Sequence, residues 1–229
     1  MGGATLGARV SAEPAPVVAG SLGIFGGTFD PIHFAHLAVA QEAAEALGLE
    51  RVLFVPAGQP PHKPDRVITL GTHRLAMVAL AIVGNDRFAI DRIELERDGP
   101  SYTVDTLEAL HASRPAAWVM PELTLILSAE AFLGLATWRE PRRVLELARL
   151  AVAPRDGYPG AGPGFMAEHF PDLADRVRFL DGPRMRLSAS ELRARAAAGR
   201  SLRYLVPDAV AAYIDDHALY GTPRRNVES

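Results

Sequence analysis

The feature that most constrains the fold is a regular alternation of short apolar runs with stretches of helical spacing. Alternation of this kind is typical of an α/β protein with a doubly wound, mainly parallel sheet and right-handed crossovers. Six runs are predicted to be strands, over residues 22–25, 51–56, 88–95, 123–127, 150–153 and 177–180. Ligands of such sheets bind at the carboxyl ends of the strands, so we expect the functional residues to follow the strands directly.

The helical patterns divide the chain into a core and a C-terminal part. A helix is predicted over 37–47 with a stop at Gly48, and others over 73–83, 103–111, 141–148 and 165–173. After residue 182 two helices follow without a strand between them, over 188–198 and 207–217, and Ser188 and Glu191 have the spacing of a capping box. We therefore predict a flexible extension over 1–20, an α/β core over 21–182, a small helical subdomain over 183–221 and a tail over 222–229.

Composition excludes several classes of protein. The 229 residues contain no cysteine, which excludes disulfides, thiolate nucleophiles and cysteine-ligated zinc. A net charge of -3 argues against nucleic-acid binding. No apolar run has the length of a membrane helix, and the first 20 residues lack a secretory signal pattern. We expect a cytoplasmic protein that uses histidine and carboxylate chemistry and binds neither nucleic acid nor membrane.

The densest motif lies where the first strand turns into the first helix, and reads G-G-T-F-D-P-I-H-F-A-H over 26–36. Gly26, Gly27 and Thr28 let the backbone approach a phosphate, while the helix offers unpaired N–H groups. His33 and His36 lie three apart, on one helix face, and can point at the same phosphate. The spacing matches neither a Walker motif nor a dinucleotide fingerprint. Taken singly, each histidine is also compatible with a capping or hydrogen-bonded residue, and Gly26 and Gly27 with a tight turn.

This segment resembles the T/HxGH signature of the adenylyl- and cytidylyltransferase superfamily, with Ala35 where that family has glycine. The resemblance implies a Rossmann-like nucleotidyltransferase fold in which Thr28, His33 and His36 bind the triphosphate of ATP and stabilise the transferring α-phosphate. A second match, L-S-A-S-E-L-R over 187–193, resembles the superfamily's second phosphate clamp and adds Arg193 to the catalytic group. The full ATP-binding set implied by the resemblance is Gly26, Gly27, Thr28, Phe29, His36, Ser128, Glu130, Ser188, Ser190 and Arg193.

Four further stretches resemble bacterial nicotinate mononucleotide adenylyltransferase. They read P-A-G-Q-P-P-H-K over 56–63, S-Y-T-V-D-T-L over 101–107, T-W over 137–138 and V-A-P-R-D-G-Y over 152–158. The resemblance implies a nicotinate mononucleotide site made of Lys63, Tyr102, Thr103, Trp138 and Arg139. Without it, the tryptophan is a packing residue, the lysine a solvated charge, and Tyr102 and Thr103 a helix start.

The implied function is transfer of the adenylyl group of ATP to nicotinate mononucleotide in NAD biosynthesis, with ATP and the mononucleotide as small-molecule partners. Because metal-ligand spacing such as H-E-x-x-H is absent, we expect Mg²⁺ to be carried by the ATP phosphates rather than by the chain. Two alternatives stay open. One is a sister enzyme acting on nicotinamide mononucleotide or phosphopantetheine. The other is a non-catalytic nucleotide-binding relative, which the departures at Ala35, Ser128, Glu130 and Ala189 favour.

Overall fold

The computed structural model describes residues 15–59, 68–113 and 122–221. Within these residues six strands are present: β1 (Val18–Gly27), β2 (Leu49–Pro56), β3 (Phe88–Ile90), β4 (Leu123–Ser128), β5 (Ala148–Ala153) and β6 (Val177–Phe179). They form one sheet in the order β3-β2-β1-β4-β5-β6, and every neighbouring pair is parallel. The predicted doubly wound α/β fold is confirmed.

Helices cover both faces of this sheet. They are α1 (Phe34–Ala46), α2 (Gly71–Ala81), α3 (Thr103–Ala112), α4 (Ala129–Leu133), α5 (Pro141–Leu147), α6 (Pro163–His169), α7 (Ala189–Ala197) and α8 (Asp208–Asp216). Buried side chains of α1, α2, α7 and α8 share one apolar core, and those of α3, α5 and α6 share a second. No helix in the described ranges is long and apolar enough to cross a membrane.

The two C-terminal helices are present as predicted, and they share a core with α1 and α2 rather than burying a core of their own. Ser188 is the N-cap of α7, but its side chain makes no capping hydrogen bond, so the predicted capping box is wrong. β1 begins at Val18, within the predicted flexible extension. The boundary between core and subdomain after residue 182 stays a prediction.

Local side-chain chemistry explains where the elements differ from the sequence pattern. The third strand ends at Ile90 instead of residue 95 because Oδ1 of Asp91 accepts a hydrogen bond from Ile93 N–H at 2.9 Å, which turns the chain. Gly48 stops α1 as predicted, with a φ of 60° that suits glycine. The short helix α4 and a 3₁₀ turn over Leu135–Thr137 were not predicted, because neither is long enough to show a helical period.

The strand order places a switch point beside β1, which pairs with β2 on one side and with β4 on the other. The connection from β1 leads to β2 on one side, and the connection from β4 leads to β5 on the other. Because these two connections diverge, a crevice opens at the carboxyl ends of β1 and β4. The motif over 26–36 begins at that end of β1.

Candidate active site

A cavity of about 430 Å³ lies at the carboxyl ends of β1, β4 and β5. It is lined by every residue that the resemblance assigns to catalysis or ATP except Gly27: Gly26, Thr28, Phe29, His33, His36, Ser128, Glu130, Ser188, Ser190 and Arg193. Segments far apart in sequence therefore meet at the switch point of the sheet. Gly27 lies beside the cavity, where an added Cβ would stand 3.0 Å from the Phe29 ring.

The two histidines are stacked at the start of α1. His33 is the N-cap residue, and its ring lies 3.7 Å from that of His36, centroid to centroid, with an angle of 20° between the planes. The backbone N–H of His33 donates to Nδ1 of His36 at 3.3 Å, which fixes the second ring. Within the described residues, Nδ1 of His33 is buried and has no hydrogen-bond partner. One ring is thus held by the backbone, while the other has an unused polar atom.

Both imidazoles are in their neutral form at pH 7. Burial, followed by the nearby Arg155 guanidinium, lowers the pKa of His33 to about 4. Burial, then His33 and then Arg155, lowers the pKa of His36 well below its ordinary value. Negative charge placed against these rings favours protonated imidazole and therefore raises both pKa values again. The pair is therefore suited to accept protons when a polyphosphate enters.

The loop that joins β1 to α1 has an unusual backbone at Phe29, whose φ is 49°. The Phe29 side chain is 2% exposed and packs against the rings of Phe25 and His36, with centroids 5.7 and 5.2 Å away. Because its ring belongs to the core, any role of Phe29 toward ATP falls to its backbone.

Arg193 joins α7 to the same loop. Its guanidinium donates to the backbone carbonyl of Asp30, and its Nη2 donates to the hydroxyl of Ser190 at 3.0 Å. The Asp30 carboxylate, 4.0 Å from Nη1 of Arg193, is itself buried. The predicted clamp residues Ser190 and Arg193 are thus brought together beside the histidine loop.

Ser128 and Glu130, which differ from the residues of the superfamily pattern, each make a polar contact in the structure. The hydroxyl of Ser128 caps α4 by accepting from Ala131 N–H at 3.2 Å. Oε2 of Glu130 lies 2.8 Å from Nη1 of Arg155, which follows β5 and also lines the cavity. The longer carboxylate is therefore part of an ion pair at the cavity wall.

The four described residues that are assigned to the acceptor lie outside this cavity. Tyr102 and Thr103 form the start of α3, as predicted, and the Arg139 guanidinium lies over the Tyr102 ring, 4.8 Å from its centroid. Nη1 of Arg139 also lies 3.3 Å from the carboxylate of Asp105. Trp138 follows the 3₁₀ turn and packs, half-buried, against the second core. Lys63 lies outside the described residues.

Two residues of the site, Asp30 and Arg155, belong to sequence motifs to which the resemblance assigns functions, but neither residue is assigned a role of its own. Asp30 belongs to the G-G-T-F-D-P stretch, and its 3% exposure marks it as a buried carboxylate. Arg155 belongs to the V-A-P-R-D-G-Y stretch and is the cation that acts on both histidines. Their position in a motif is the sequence feature that could have identified them. The residues that they contact can be known only from the fold.

Comparison with known proteins agrees with this geometry. The cytidylyltransferase-like family model matches residues 24–195, which include both histidines, so the chain is a nucleotidyltransferase. The chain is 47% identical to “Probable nicotinate-nucleotide adenylyltransferase” of Roseiflexus sp. (strain RS-1) over 199 residues, 87% of this chain and 97% of that relative. It is 48% identical to the protein of the same name from Thermomicrobium roseum over 201 residues, 88% of this chain and 92% of the relative. The chain belongs to the nicotinate-nucleotide adenylyltransferase family.

The fold is also that of a solved structure, nicotinic acid mononucleotide adenylyltransferase of Plasmodium falciparum complexed with NaAD. The TM-score is 0.68, and the match covers 89% of this chain and 98% of that one. Sequence identity is only 17%, so this likeness shows the shared fold alone.

Proposed function

We propose that this protein transfers the adenylyl group of ATP to nicotinate mononucleotide, giving deamido-NAD and pyrophosphate in NAD biosynthesis. The observation that carries the proposal is the stacked pair of His33 and His36 in the cavity at the switch point of the sheet. Relatives with 47% and 48% identity over nearly their whole length support the same reaction.

In this reaction an oxygen of the mononucleotide phosphate attacks the α-phosphorus of ATP. A new P–O bond forms, the bond from the α-phosphorus to the bridging oxygen breaks, and pyrophosphate leaves. Such a transfer depends on positioning and on stabilisation of charge more than on a nucleophilic side chain. Thr28, His33, His36 and Arg193 are the proposed catalytic donors to the phosphates, with Ser188 and Ser190 as further donors.

The charge on the two histidines depends on whether a phosphate chain is bound. They do not hold charge in the empty site, where burial penalises it. When the triphosphate binds, its negative charge raises the pKa of both rings and favours proton uptake. Charged donors then lie where negative charge builds up in the transition state.

For the acceptor, the proposal assigns the nicotinate ring to Trp138, whose aromatic face suits a pyridinium-like cation. The backbone N–H groups of Thr103 and Arg139 are the proposed donors to the ring carboxylate, with Tyr102 beside them and Lys63 at the phosphate. A carboxylate accepts from such donors, whereas a carboxamide also carries an NH₂ group that cannot. This pattern favours nicotinate mononucleotide over nicotinamide mononucleotide.

The proposal includes Mg²⁺ that is carried by ATP. Among the described residues, no group of three or more histidines or carboxylates could hold a metal ion. The buried Asp30 carboxylate already accepts from Tyr220 and from Thr69 N–H. A site with this set of residues fits a Mg²⁺ ion that is bound mainly by phosphate oxygens and water. Such an ion would neutralise the charge of the leaving pyrophosphate.

The test is pyrophosphate release from ATP by the purified protein with nicotinate mononucleotide, nicotinamide mononucleotide, phosphopantetheine or no acceptor. We expect the fastest release with nicotinate mononucleotide. Preference for another acceptor would favour a sister enzyme. ATP binding without release for any acceptor would favour a non-catalytic nucleotide-binding protein.

A further inference from the structure

One buried arginine joins three segments around the site. Arg74, on α2, is 2% exposed and donates to three backbone carbonyls. Its Nη1 contacts the oxygen of Thr28 at 2.9 Å, its Nη2 that of Ala57 at 2.7 Å and its Nε that of Thr69 at 2.8 Å. These carbonyls belong to the loop after β1, the loop after β2 and the segment just before α2.

No carboxylate of the described residues forms an ion pair with this guanidinium. Within the described ranges, no carboxylate lies within 4.0 Å of Arg74, although Asp30 and Glu94 are near enough to favour its charge. A buried cation is costly unless it is well hydrogen-bonded, and an apolar side chain of similar size is often no less stabilising. What the planar guanidinium adds is direction, because its N–H groups fix three carbonyls at set angles.

The bond to Thr28 sets the direction of the next amide. In a planar trans peptide the C=O and the following N–H point in opposite directions, so a Thr28 carbonyl turned toward Arg74 directs Phe29 N–H away from it. No hydrogen bond among the described residues engages that N–H. Thr28 and Phe29 both line the cavity, and a free amide beside a left-handed residue is suited to an anion.

The bond to Ala57 reaches the acceptor side. Ala57 N–H donates to Gly27 oxygen at 2.8 Å, which ties the two loops directly. The next residue, Gly58, donates its N–H to the hydroxyl of Ser101 at 3.1 Å, and Ser101 immediately precedes Tyr102 and Thr103. An added Cβ at Gly58 would stand 2.1 Å from the Glu94 oxygen, so this turn packs closely against the Glu94 backbone and leaves no room for a side chain.

We propose that Arg74 is a positioning residue for adenylyl transfer. It orients the Thr28–Phe29 peptide toward the triphosphate, and through Ala57 it holds the loop after β2, which contacts Ser101, in a fixed position relative to that peptide. This inference rests on the proposed function. Arg74 does not line the cavity, and it acts through the backbone of two loops. Its effect is therefore on the geometry of the reacting groups rather than on their charge.

The experiment compares Arg74→Lys and Arg74→Met with a matched control, Arg176→Met. Arg176 also donates to backbone carbonyls, those of Leu145 and Glu146, but at the opposite edge of the sheet, where α5 leads into β5. We expect both Arg74 variants to lose on the order of 10²-fold in kcat at saturating substrates. Arg176→Met should lower the melting temperature and leave kcat within about twofold, as expected of a purely structural arginine.

A second readout does not require turnover. In the ¹⁵N-labelled wild-type protein, α,β-methylene-ATP should move the Phe29 amide proton downfield, and Arg74→Lys should abolish that shift while the variant stays folded. Lysine keeps the charge but cannot hold three carbonyls, so rescue by lysine would overturn the proposal. Unchanged kcat, or an unchanged Phe29 shift, in a folded Arg74 variant would also overturn it. Failure of the wild-type protein to turn over any acceptor would instead count against the proposed function, and the Phe29 shift would still test Arg74.

Discussion

The hydroxyl group of Tyr220 donates a 2.7 Å hydrogen bond to Oδ1 of Asp30, 190 positions earlier in the chain. The other carboxylate oxygen accepts from Thr69 N–H at 3.3 Å. Burial, followed by the Asp30 charge, raises the pKa of Tyr220 far above its ordinary value, so the phenol stays a donor at every physiological pH. The C-terminal end of the described chain is thereby attached to the loop that carries the histidines.

Removing this hydroxyl should destabilise the fold. Tyr220→Phe leaves a buried carboxylate with one donor fewer, and hydrogen bonds to charged groups contribute about 1.5–3 kcal/mol. We expect a loss of about 2 kcal/mol in the free energy of unfolding, measured by urea denaturation. The control is Tyr204→Phe. Because Tyr204 is 80% exposed, this substitution should change the free energy of unfolding by less than about 0.5 kcal/mol. Equal stability of Tyr220→Phe and wild type would show that the contact contributes nothing.

The histidine pair should matter for turnover and not for folding. Alanine at His33 or His36 removes a preorganised donor to the phosphates, and such losses cost on the order of 10²- to 10³-fold in kcat. The control is His169→Ala, because His169 is exposed on α6 and contacts the ring of Phe165, away from the cavity. Steady-state pyrophosphate release measures all three variants. Normal turnover in both His33→Ala and His36→Ala would refute the assigned site.

The low pKa of His33 predicts a particular loss of stability in acid. Its pKa is about 4 in the folded protein and 6.5 in the unfolded chain, so between these values the unfolded state binds more protons. Stability is therefore complete above pH 6.5 and falls on acidification toward pH 4, by roughly 3 kcal/mol from this group. Urea denaturation between pH 4 and 7 should show a shallower pH slope in His33→Asn than in wild type. Identical slopes would mean that His33 titrates normally in the folded protein.

The ion pair of Glu130 and Arg155 should affect ATP affinity more than chemistry. Both side chains are about half exposed, at 51% and 43%, so the pair contributes little to stability. In Glu130→Asp the carboxylate withdraws by one C–C bond, and we expect KM for ATP to change several-fold while kcat changes less. The control is Glu122→Asp, which shortens a carboxylate paired with Arg149 and Arg176 away from the cavity. A large fall in kcat with unchanged KM would place Glu130 in the chemical step instead.

Much of the fold could be predicted because parallel strands buried on both faces are continuous apolar runs. The sequence pattern predicts a third strand that is too long. In the structure Asp91 ends this strand through one side-chain hydrogen bond, which the run of apolar residues does not reveal. Helix α4 was missed because five residues show no period. Ser188, the predicted first residue of α7, is the N-cap of this helix, but its side chain makes no capping hydrogen bond despite the spacing to Glu191.

The site was predictable only where a motif marks it. Thr28, His33 and His36 lie together because they are neighbours in sequence, and the motif named them. Arg74 could not be found in this way, since its role depends on carbonyls of Thr28 and Ala57 that only the fold brings to it. The same holds for the bond between Tyr220 and Asp30, whose partners lie at opposite ends of the described chain.

The most direct test of the proposed reaction follows the α-phosphorus of ATP. The purified protein is incubated with Mg²⁺, nicotinate mononucleotide and ATP that carries ³²P at the α position, and the products are separated. We expect the label to appear in deamido-NAD, with one unlabelled pyrophosphate released for each dinucleotide. We also expect nicotinamide mononucleotide to be at least about tenfold less efficient in kcat/KM. Label that stays in ATP, or that appears in AMP, would contradict adenylyl transfer to this acceptor.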